Sequence, residues 1–247
     1  MDPELRLDAE IDGVLVDLSD GSAPVIDLRA AGPVLDVIRP SGLLAAPRWQ
    51  LVAKRASDIL GAVVASVLTF PLLVVVALAI RLSSRGPVLY PHERIGRDGR
   101  PFRMYKLRSM YADAHEQRHE HGGSNMHGGP IFKIRDDPRI TKVGRVIRRL
   151  SIDELPQLWN VLRGEMSLVG PRPPLREEYE QYGGRELSRL LVKPGITCIW
   201  QVRGRSDLDF ETWVRMDLQY IDSWMLALDA KLLALTLPAV LSGRGAY

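Results

Sequence analysis

The chain has 247 residues, of which 46% are hydrophobic and 26% are charged. That composition excludes a disordered chain, and the length suffices for one large domain or two small ones. Residues 1–47 carry nine acidic and three basic side chains, whereas the rest of the chain carries 30 basic and 21 acidic ones. The basic body suits a phosphate-rich partner, such as a nucleotide-sugar, an anionic lipid or nucleic acid.

Residues 1–47 are predicted to be an N-terminal extension. Two β-like runs, Val14–Leu18 and Val25–Leu28, alternate with Gly and Pro, which predicts either a small hairpin or a flexible tail. The acidic start lacks an early apolar core, so we expect no signal peptide. Cys198 is the sole cysteine, so an intrachain disulfide is excluded, and we expect a buried, inert thiol.

A run of 22 residues without charge extends from Ile59 to Ile80. As a helix it would be about 33 Å long, enough to cross the hydrocarbon core of a bilayer. Pro71 would bend such a helix, and Lys54 and Arg55 before it and Arg81 after it make both flanks basic. Basic flanks favour the cytoplasmic side, so a bent, re-entrant helix competes with a straight span, and a buried soluble helix is a third alternative.

The next elements follow from turn signals and periodicity. Val88–Tyr90 and Pro101–Lys106 flank an Asp98-Gly99 pair, which predicts a hairpin. Ile140–Leu150 is predicted to be a helix with a basic face, and Asp153–Arg163 a second helix that Gly164 ends. The apolar segment 224–241 is interrupted by charges and by a proline, so we expect it to lie flat on a membrane or to pack inside the protein.

Two carboxylates stand where a helix is predicted to begin. Ser151-Ile152-Asp153-Glu154 matches a capping box, in which Ser151 and Glu154 satisfy backbone N–H groups. In a first helical turn the helix dipole also favours ionised carboxylates, which can bind Mg²⁺ or attack phosphorus. Both roles are compatible if Asp153 points outward.

Several cations are candidates for phosphate binding. Three prolines surround Arg172 and hold the backbone around it, which suits a bidentate phosphate contact, although a solvated Arg in a rigid turn is the alternative. The other cations have two possible roles: they form a surface that faces solvent or lipid, or they bind phosphate. We expect no nucleic-acid binding, because aromatic-rich and helix-turn-helix signatures are missing. These other cations are Arg94, Arg97, Lys106, Arg108, Arg145 and Arg148.

The stretch His115-Glu116-Gln117-Arg118-His119 matches the zinc-peptidase pattern H-E-x-x-H. In the longer version of that pattern a third histidine is expected where this chain has Asn125. The flanks are polar and rich in glycine, so a mobile polar loop is the better prediction. A zinc hydrolase that uses His115, Glu116 and His119 remains the competing enzymatic hypothesis.

Taken together, the motifs resemble those of the bacterial sugar transferases, or monotopic phosphoglycosyl transferases. The resemblance covers residues 48–247, and its most specific stretch is SIDELPQLWNVLRGEMSLVGPRP, at residues 151–173. Cys198 stands where a glycine is expected and His92 where a glutamine is expected, and neither departure touches the dyad Asp153-Glu154. The other matching motifs are KRxxD (54–58), GPV (86–88), ERIG (93–96), YKLRSM (105–110), DPRIT (137–141), KPGIT (193–197) and WQV (200–202).

The resemblance implies a Mg²⁺-dependent, two-step transfer of a sugar phosphate from a UDP-sugar to polyprenyl phosphate, in exopolysaccharide or related synthesis. Asp153 would be the nucleophile, and Asp153 and Glu154 would hold the metal. The implied setting is a membrane lipid environment at the cytoplasmic face of a bacterial inner membrane, and a homodimer stays open. The implied substrate contacts are Arg172, Arg148, Lys106 and Arg108 for phosphate, and Gln201 and Arg205 for the nucleotide end.

The implied fold is helix-rich α+β. It combines a re-entrant membrane helix, residues 59–80 broken at Pro71 and anchored by Lys54 and Arg55, with a cytoplasmic helical catalytic domain that carries a small β-hairpin. Residues 48–247 would form this unit, and residues 1–47 would precede it as the acidic extension. The non-enzymatic alternative is a membrane scaffold without activity, against which the intact dyad argues.

Overall fold

The computed structural model describes residues 8–11, 14–17, 41–111, 114, 137–204 and 208–243. In the acidic extension two short strands, β1 (Asp8–Ile11) and β2 (Val14–Asp17), pair antiparallel. β2 belongs to a run that was predicted to be extended, but its partner β1 was not predicted. The other predicted run, Val25–Leu28, lies outside the described residues.

A single long helix, α1 (Arg48–Ser83), contains the whole uncharged segment. It begins after Pro47 and ends where Ser84 becomes extended. Pro71 lies inside α1 and does not divide it into two helices. Among the described residues α1 is the one helix that is long and apolar enough to cross a membrane, and its most apolar window is only 11% buried.

The predicted hairpin is confirmed. Strands β3 (Leu89–Ile95) and β4 (Pro101–Leu107) pair antiparallel, from Leu89 opposite Leu107 to Ile95 opposite Pro101. In the turn between them, Asp98 and Gly99 adopt left-handed backbone conformations, with φ of 59° and 73°. Asp and Gly tolerate this region better than most residues, which is why the pair predicts the turn.

Helix α2 (Lys142–Arg149) confirms the predicted basic helix, apart from its ends. The hydroxyl of Thr141 caps α2 by accepting a hydrogen bond from the Gly144 N–H, at 2.8 Å. The second predicted helix is divided: a 3₁₀ turn over Ile152–Glu154 precedes helix α3 (Gln157–Arg163). Gly164, with φ of 83°, ends α3 as predicted.

A parallel pair of very short strands lies behind α3. β5 (Ser167–Val169) and β6 (Gly195–Thr197) pair in parallel, with Ser167 opposite Gly195. Three residues per strand are too few for a periodic signal, so the sequence did not predict them. The remaining short elements are α4 (Arg176–Tyr179), α5 (Gly184–Leu187), a 3₁₀ turn (Ser188–Leu191) and α6 (Ile199–Arg203).

Two longer helices close the chain. Helix α7 (Phe210–Asp222) begins at Asp209, whose carboxylate accepts from the Thr212 N–H. Helix α8 (Leu226–Ser242) buries Asp229 and Leu232 on one face and exposes leucines on the other. Of the two predicted alternatives for this segment, packing inside the protein therefore holds for one face of α8. The exposed leucines are Leu233, Leu235, Leu237 and Leu241.

One stripe of α1 packs against the rest of the fold near both of its ends. Near its start, Asp58 accepts from the Leu168 N–H and the Ser167 hydroxyl of β5, both at 3.0 Å, and Ala62 lies in the main core. Near its end, Val76 and Ile80 pack with residues of β4 and α2. Both ends of α1 therefore contact the same domain, while large apolar side chains cover the opposite face.

Candidate active site

The two candidate catalytic carboxylates lie in a strained turn and not in the first turn of an α-helix. Ser151 has a φ of 51°, in the left-handed region, and its side chain does not cap the turn. Pro156 occupies the N-cap of α3, because proline needs no N–H partner at a helix start. The predicted capping box between Ser151 and Glu154 is therefore wrong, and the turn serves to present Asp153 and Glu154.

Asp153 is buried, with 7% of its surface exposed. Burial raises the pKa of Asp153 from its usual 3.8 to about 6; Glu154 adds to the rise, and Lys106 and Arg148 oppose it. The helix dipole was expected to favour the ionised form, but in a single 3₁₀ turn burial outweighs it. At pH 7 roughly nine carboxyls in ten are still ionised, so Asp153 is a poorly hydrated carboxylate.

Glu154 links its own 3₁₀ turn to two other elements, β4 and α6. One of its carboxylate oxygens accepts from the Lys106 ammonium of β4 at 2.8 Å, and the other accepts from the Gln201 amide of α6 at 3.5 Å. Asn160 of α3 fixes the position of β4. Its amide oxygen accepts from the Tyr105 N–H at 3.1 Å, and its amide nitrogen donates to the Arg103 carbonyl. The structure thus brings together the dyad and two of the predicted contacts.

Arg148 comes to the dyad from α2, whose basic face was predicted. Its charge lowers the pKa of Asp153, which places its guanidinium within electrostatic reach of that carboxyl. Arg148 and Lys106 therefore both provide positive charge near Asp153, where a phosphate that the carboxylate attacks would need neutralisation.

Arg172 lies near the same site but is held by a partner that the sequence analysis missed. Its guanidinium donates to both oxygens of Glu178, at 3.0 and 3.4 Å, and stacks over Trp213 at 5.7 Å. Burial alone would lower the pKa of Arg172, but Glu178 outweighs burial and raises it. Glu178 also accepts from the Leu175 N–H, so a Glu at the third position of α4 was the signal available in the sequence.

Arg108 does not join this cluster. Its guanidinium donates to the carbonyls of Arg85, at 2.6 Å, and of Ser84, at 2.8 Å, just beyond the end of α1. It also donates to the Ile80 carbonyl in the last turn of α1, at 3.4 Å, so Arg108 caps the C-terminus of the long helix, where carbonyls lack partners within the helix. The described contacts of Arg108 are structural, its phosphate contact stays a prediction, and Arg205 lies outside the described residues.

Lys54 and Arg55, which were predicted to be membrane anchors, both contact other elements of the protein. The Lys54 ammonium binds Asp229 of α8 at 2.6 Å and the Val169 carbonyl at 3.2 Å. Arg55 donates to the Val161 and Leu162 carbonyls at the end of α3. Basic residues before an apolar helix suggested lipid headgroups, but here these two fasten α1 to the domain.

Two carboxylates are available for a metal ion. Asp153 and Glu154 are adjacent, and Mg²⁺ is commonly held by one or two carboxylates together with substrate phosphates. In the described part of the chain no group of three or more His, Cys, Asp or Glu is arranged to hold a metal. The competing zinc pattern, His115, Glu116 and His119, lies outside the described residues.

The two residues that depart from the expected motifs, Cys198 and His92, differ in how deeply they are buried. Cys198 is buried, and burial and Asp217 raise the pKa of its thiol well above the usual value, which agrees with an inert thiol. His92 lies on β3 near Lys106, Arg94 and Arg172. Burial and then these cations lower the pKa of His92 to about 3, so its imidazole is neutral.

Comparison with known proteins matches this chain to one family. A family model described as bacterial sugar transferase matches residues 49–243. The chain is 43% identical over 202 residues to a UDP-galactose-lipid carrier transferase of Erwinia amylovora, with 78% of this chain and 41% of that protein covered. It is 41% identical over 210 residues to an undecaprenyl-phosphate galactose phosphotransferase of Salmonella typhimurium, with 82% and 43% covered.

A third relative is close to this chain in length. The exopolysaccharide production protein ExoY of Rhizobium meliloti is 41% identical over 200 residues, with 79% of this chain and 88% of ExoY covered. The chain thus spans less than half of the first two relatives and most of the third. All three matches cover more than three quarters of this chain.

Proposed function

The chain belongs to the bacterial sugar transferase family, and from this premise we propose that it transfers a sugar 1-phosphate from a UDP-sugar to polyprenyl phosphate. The names of three relatives support the donor, the acceptor and the process: a UDP-galactose-lipid carrier transferase, an undecaprenyl-phosphate galactose phosphotransferase and an exopolysaccharide production protein. The observation that carries the proposal is the buried Asp153, flanked by Lys106 and Arg148.

The chemistry consists of two displacements at one phosphorus atom. An oxygen of Asp153 bonds to the sugar-side phosphorus, the bond from this phosphorus to the bridging oxygen breaks, and UMP leaves with that electron pair. An oxygen of polyprenyl phosphate then bonds to the same phosphorus, and the bond to Asp153 breaks. The carboxylate is regenerated and the product is a polyprenyl diphosphate sugar.

Burial suits Asp153 to the role of nucleophile. A carboxylate that has lost most of its water needs less desolvation before it attacks, and its raised pKa still leaves it ionised near neutral pH. Glu154 holds Lys106 beside Asp153, so the ammonium is in place to neutralise the attacked phosphate. Gln201 adds an amide on the other side of Glu154, where we place the nucleotide end of the donor.

Asp153 and Glu154 are the residues that would hold Mg²⁺. The metal ion would neutralise charge on the diphosphate and on the departing UMP. Glu154 accepts from Lys106, so this carboxylate would be shared between the ammonium and the ion. We therefore expect Glu154→Gln to raise the Mg²⁺ concentration that gives the half-maximal rate, because one of the two carboxylates that would hold the ion is lost.

We place α1 in the cytoplasmic leaflet of a bacterial inner membrane, as a re-entrant helix. Its two ends contact one domain, so both ends must lie on the same side of a bilayer, and the exposed apolar face between them meets lipid. Cysteines introduced as Trp49→Cys and Leu82→Cys test this, because Cys198 is buried. Both should label from the cytoplasmic side alone, and labelling of either end from outside would contradict the placement.

The reaction is tested by UMP release from a panel of UDP-sugars, with Mg²⁺, polyprenyl phosphate and detergent-extracted protein. We expect release from at least one donor, loss of release in Asp153→Asn, and full release in Glu177→Gln, a matched control on an exposed carboxylate. Release that persists in Asp153→Asn would overturn the nucleophile. Failure of every donor to release UMP would overturn the reaction class.

A further inference from the structure

Within the described residues, Arg94 is a buried cation without a carboxylate of its own. Only 7% of its surface is exposed. One guanidinium nitrogen donates to the Pro173 carbonyl at 3.2 Å, and Nε has no acceptor among the described residues. Over that same part of the chain, Arg94 forms no ion pair. Burying a charge without a counter-charge is costly, and an anion bound at Arg94 would offset that cost.

The charges around Arg94 leave one positive charge in excess. Arg172 is paired with Glu178 at 3.0 Å, and Arg189 is paired with Asp217 at 2.7 Å. Three neighbouring arginines therefore face two carboxylates within the described residues. Burial and then Arg172 lower the pKa of Arg94 to about 9, while Glu178 and Glu154 oppose the change, so Arg94 stays charged at neutral pH.

Arg94 lies on the same face of the hairpin as Lys106, which contacts the dyad. On β3, Tyr90, His92 and Arg94 alternate with outward residues and so share one face, and Tyr90 is paired with Lys106 across the hairpin. The neutral imidazole of His92 lies between the cations, so it adds no further repulsion there. Arg172 and His92 are only partly buried, so solvent reaches both side chains.

The cations around the dyad form two groups. Lys106 and Arg148 act on the pKa of Asp153, whereas Arg94 and Arg172 act on each other and on Glu178. Glu154 binds Lys106 and is also within electrostatic reach of Arg94. Each group of cations can therefore bind one anion, and a diphosphate provides two phosphates.

We propose that Arg94 and Arg172 bind the phosphate opposite Asp153, while Lys106 and Arg148 hold the phosphate that Asp153 attacks. This inference rests on the proposed function. In an in-line displacement, the leaving UMP phosphate and the entering polyprenyl phosphate both lie opposite the Asp153 oxygen. One subsite therefore serves both steps, and UMP and the lipid phosphate exclude each other from it.

The test compares UMP with uridine, which lacks the phosphate, as inhibitors of the purified enzyme. In Arg94→Gln we expect the inhibition constant of UMP and the KM values of both substrates to rise roughly 10- to 100-fold, the range for lost hydrogen bonds to a charged group. Inhibition by uridine should not change. The control Arg103→Gln, on the outer face of the same hairpin, should behave as wild type, and Arg94→Lys should restore much of the UMP inhibition.

Three outcomes would overturn the inference. They are an unchanged UMP inhibition constant in active Arg94→Gln, equal losses for UMP and uridine, and a melting temperature of Arg94→Gln well below wild type. The last outcome would show that Arg94 stabilises the fold, whereas removal of an unpaired buried charge should leave the melting temperature equal or higher. If the wild-type enzyme itself releases no UMP from any donor, the proposed function fails instead.

Discussion

Asp153→Asn should make the protein more stable, and the gain should depend on pH. The folded state raises the pKa of Asp153 from 3.8 to about 6, so ionisation of this group opposes folding. The cost is absent below pH about 4, grows as the pH rises through about 6, and reaches about 3 kcal/mol above that pH. Asparagine carries no charge at any pH, so the variant escapes this cost.

The assay is thermal unfolding in detergent without metal, at pH 4, 6 and 7.5, with one heating rate throughout. For a domain of this size, about 3 kcal/mol corresponds to about 6–12 °C. We expect Asp153→Asn to melt near wild type at pH 4 and about that much higher at pH 7.5, with Glu177→Gln unchanged at every pH. A gain that does not grow with pH, or a variant that melts below wild type at pH 7.5, would refute the reasoning.

Three further predictions concern other contacts of the site and its supports. UMP release should rise with pH through about 6 as Asp153 ionises; rates at saturating donor check this, and a flat profile would speak against Asp153 as the nucleophile. Arg108→Gln should lower the free energy of unfolding by about 1–3 kcal/mol with little change in the KM for UDP-sugar, since Arg108 caps α1. A large rise in KM would instead show that Arg108 binds a substrate phosphate. Lys54→Met should lower the free energy of unfolding, measured with denaturant, by about 3–5 kcal/mol, because Asp229 is left buried without its cation. The double variant Lys54→Met with Asp229→Asn should recover part of that loss. A Lys54→Met variant as stable as wild type would contradict the buried ion pair.

The hairpin and the dyad were predictable because their signals are local. Asp98-Gly99 favours a left-handed turn, and the flanking runs alternate, so the pairing of β3 with β4 follows from neighbours in the sequence. Asp153 and Glu154 were found from a motif that is continuous in the chain. Their surroundings were assigned by the family resemblance, and the contact between Lys106 and Glu154 agrees with that assignment.

The sequence did not predict contacts between side chains and partners that lie far away in the chain. Arg108 follows Lys106 by two residues, but β4 ends at Leu107 and Arg108 turns to the end of α1. Lys54 meets Asp229, which lies 175 residues away, so its spacing from the apolar run suggested only lipid. Arg94 forms no ion pair in the described part of the chain, and no sequence pattern shows a missing ion pair.

The most direct test of the account is the covalent intermediate. Protein mixed with UDP-sugar and Mg²⁺, but without polyprenyl phosphate, should gain the mass of one phosphosugar, and peptide mass spectrometry should locate it on Asp153. Addition of polyprenyl phosphate should remove that mass and yield the lipid product. UMP release without any adduct, or an adduct on Glu154 or elsewhere that persists in Asp153→Asn, would contradict the two-step mechanism at Asp153.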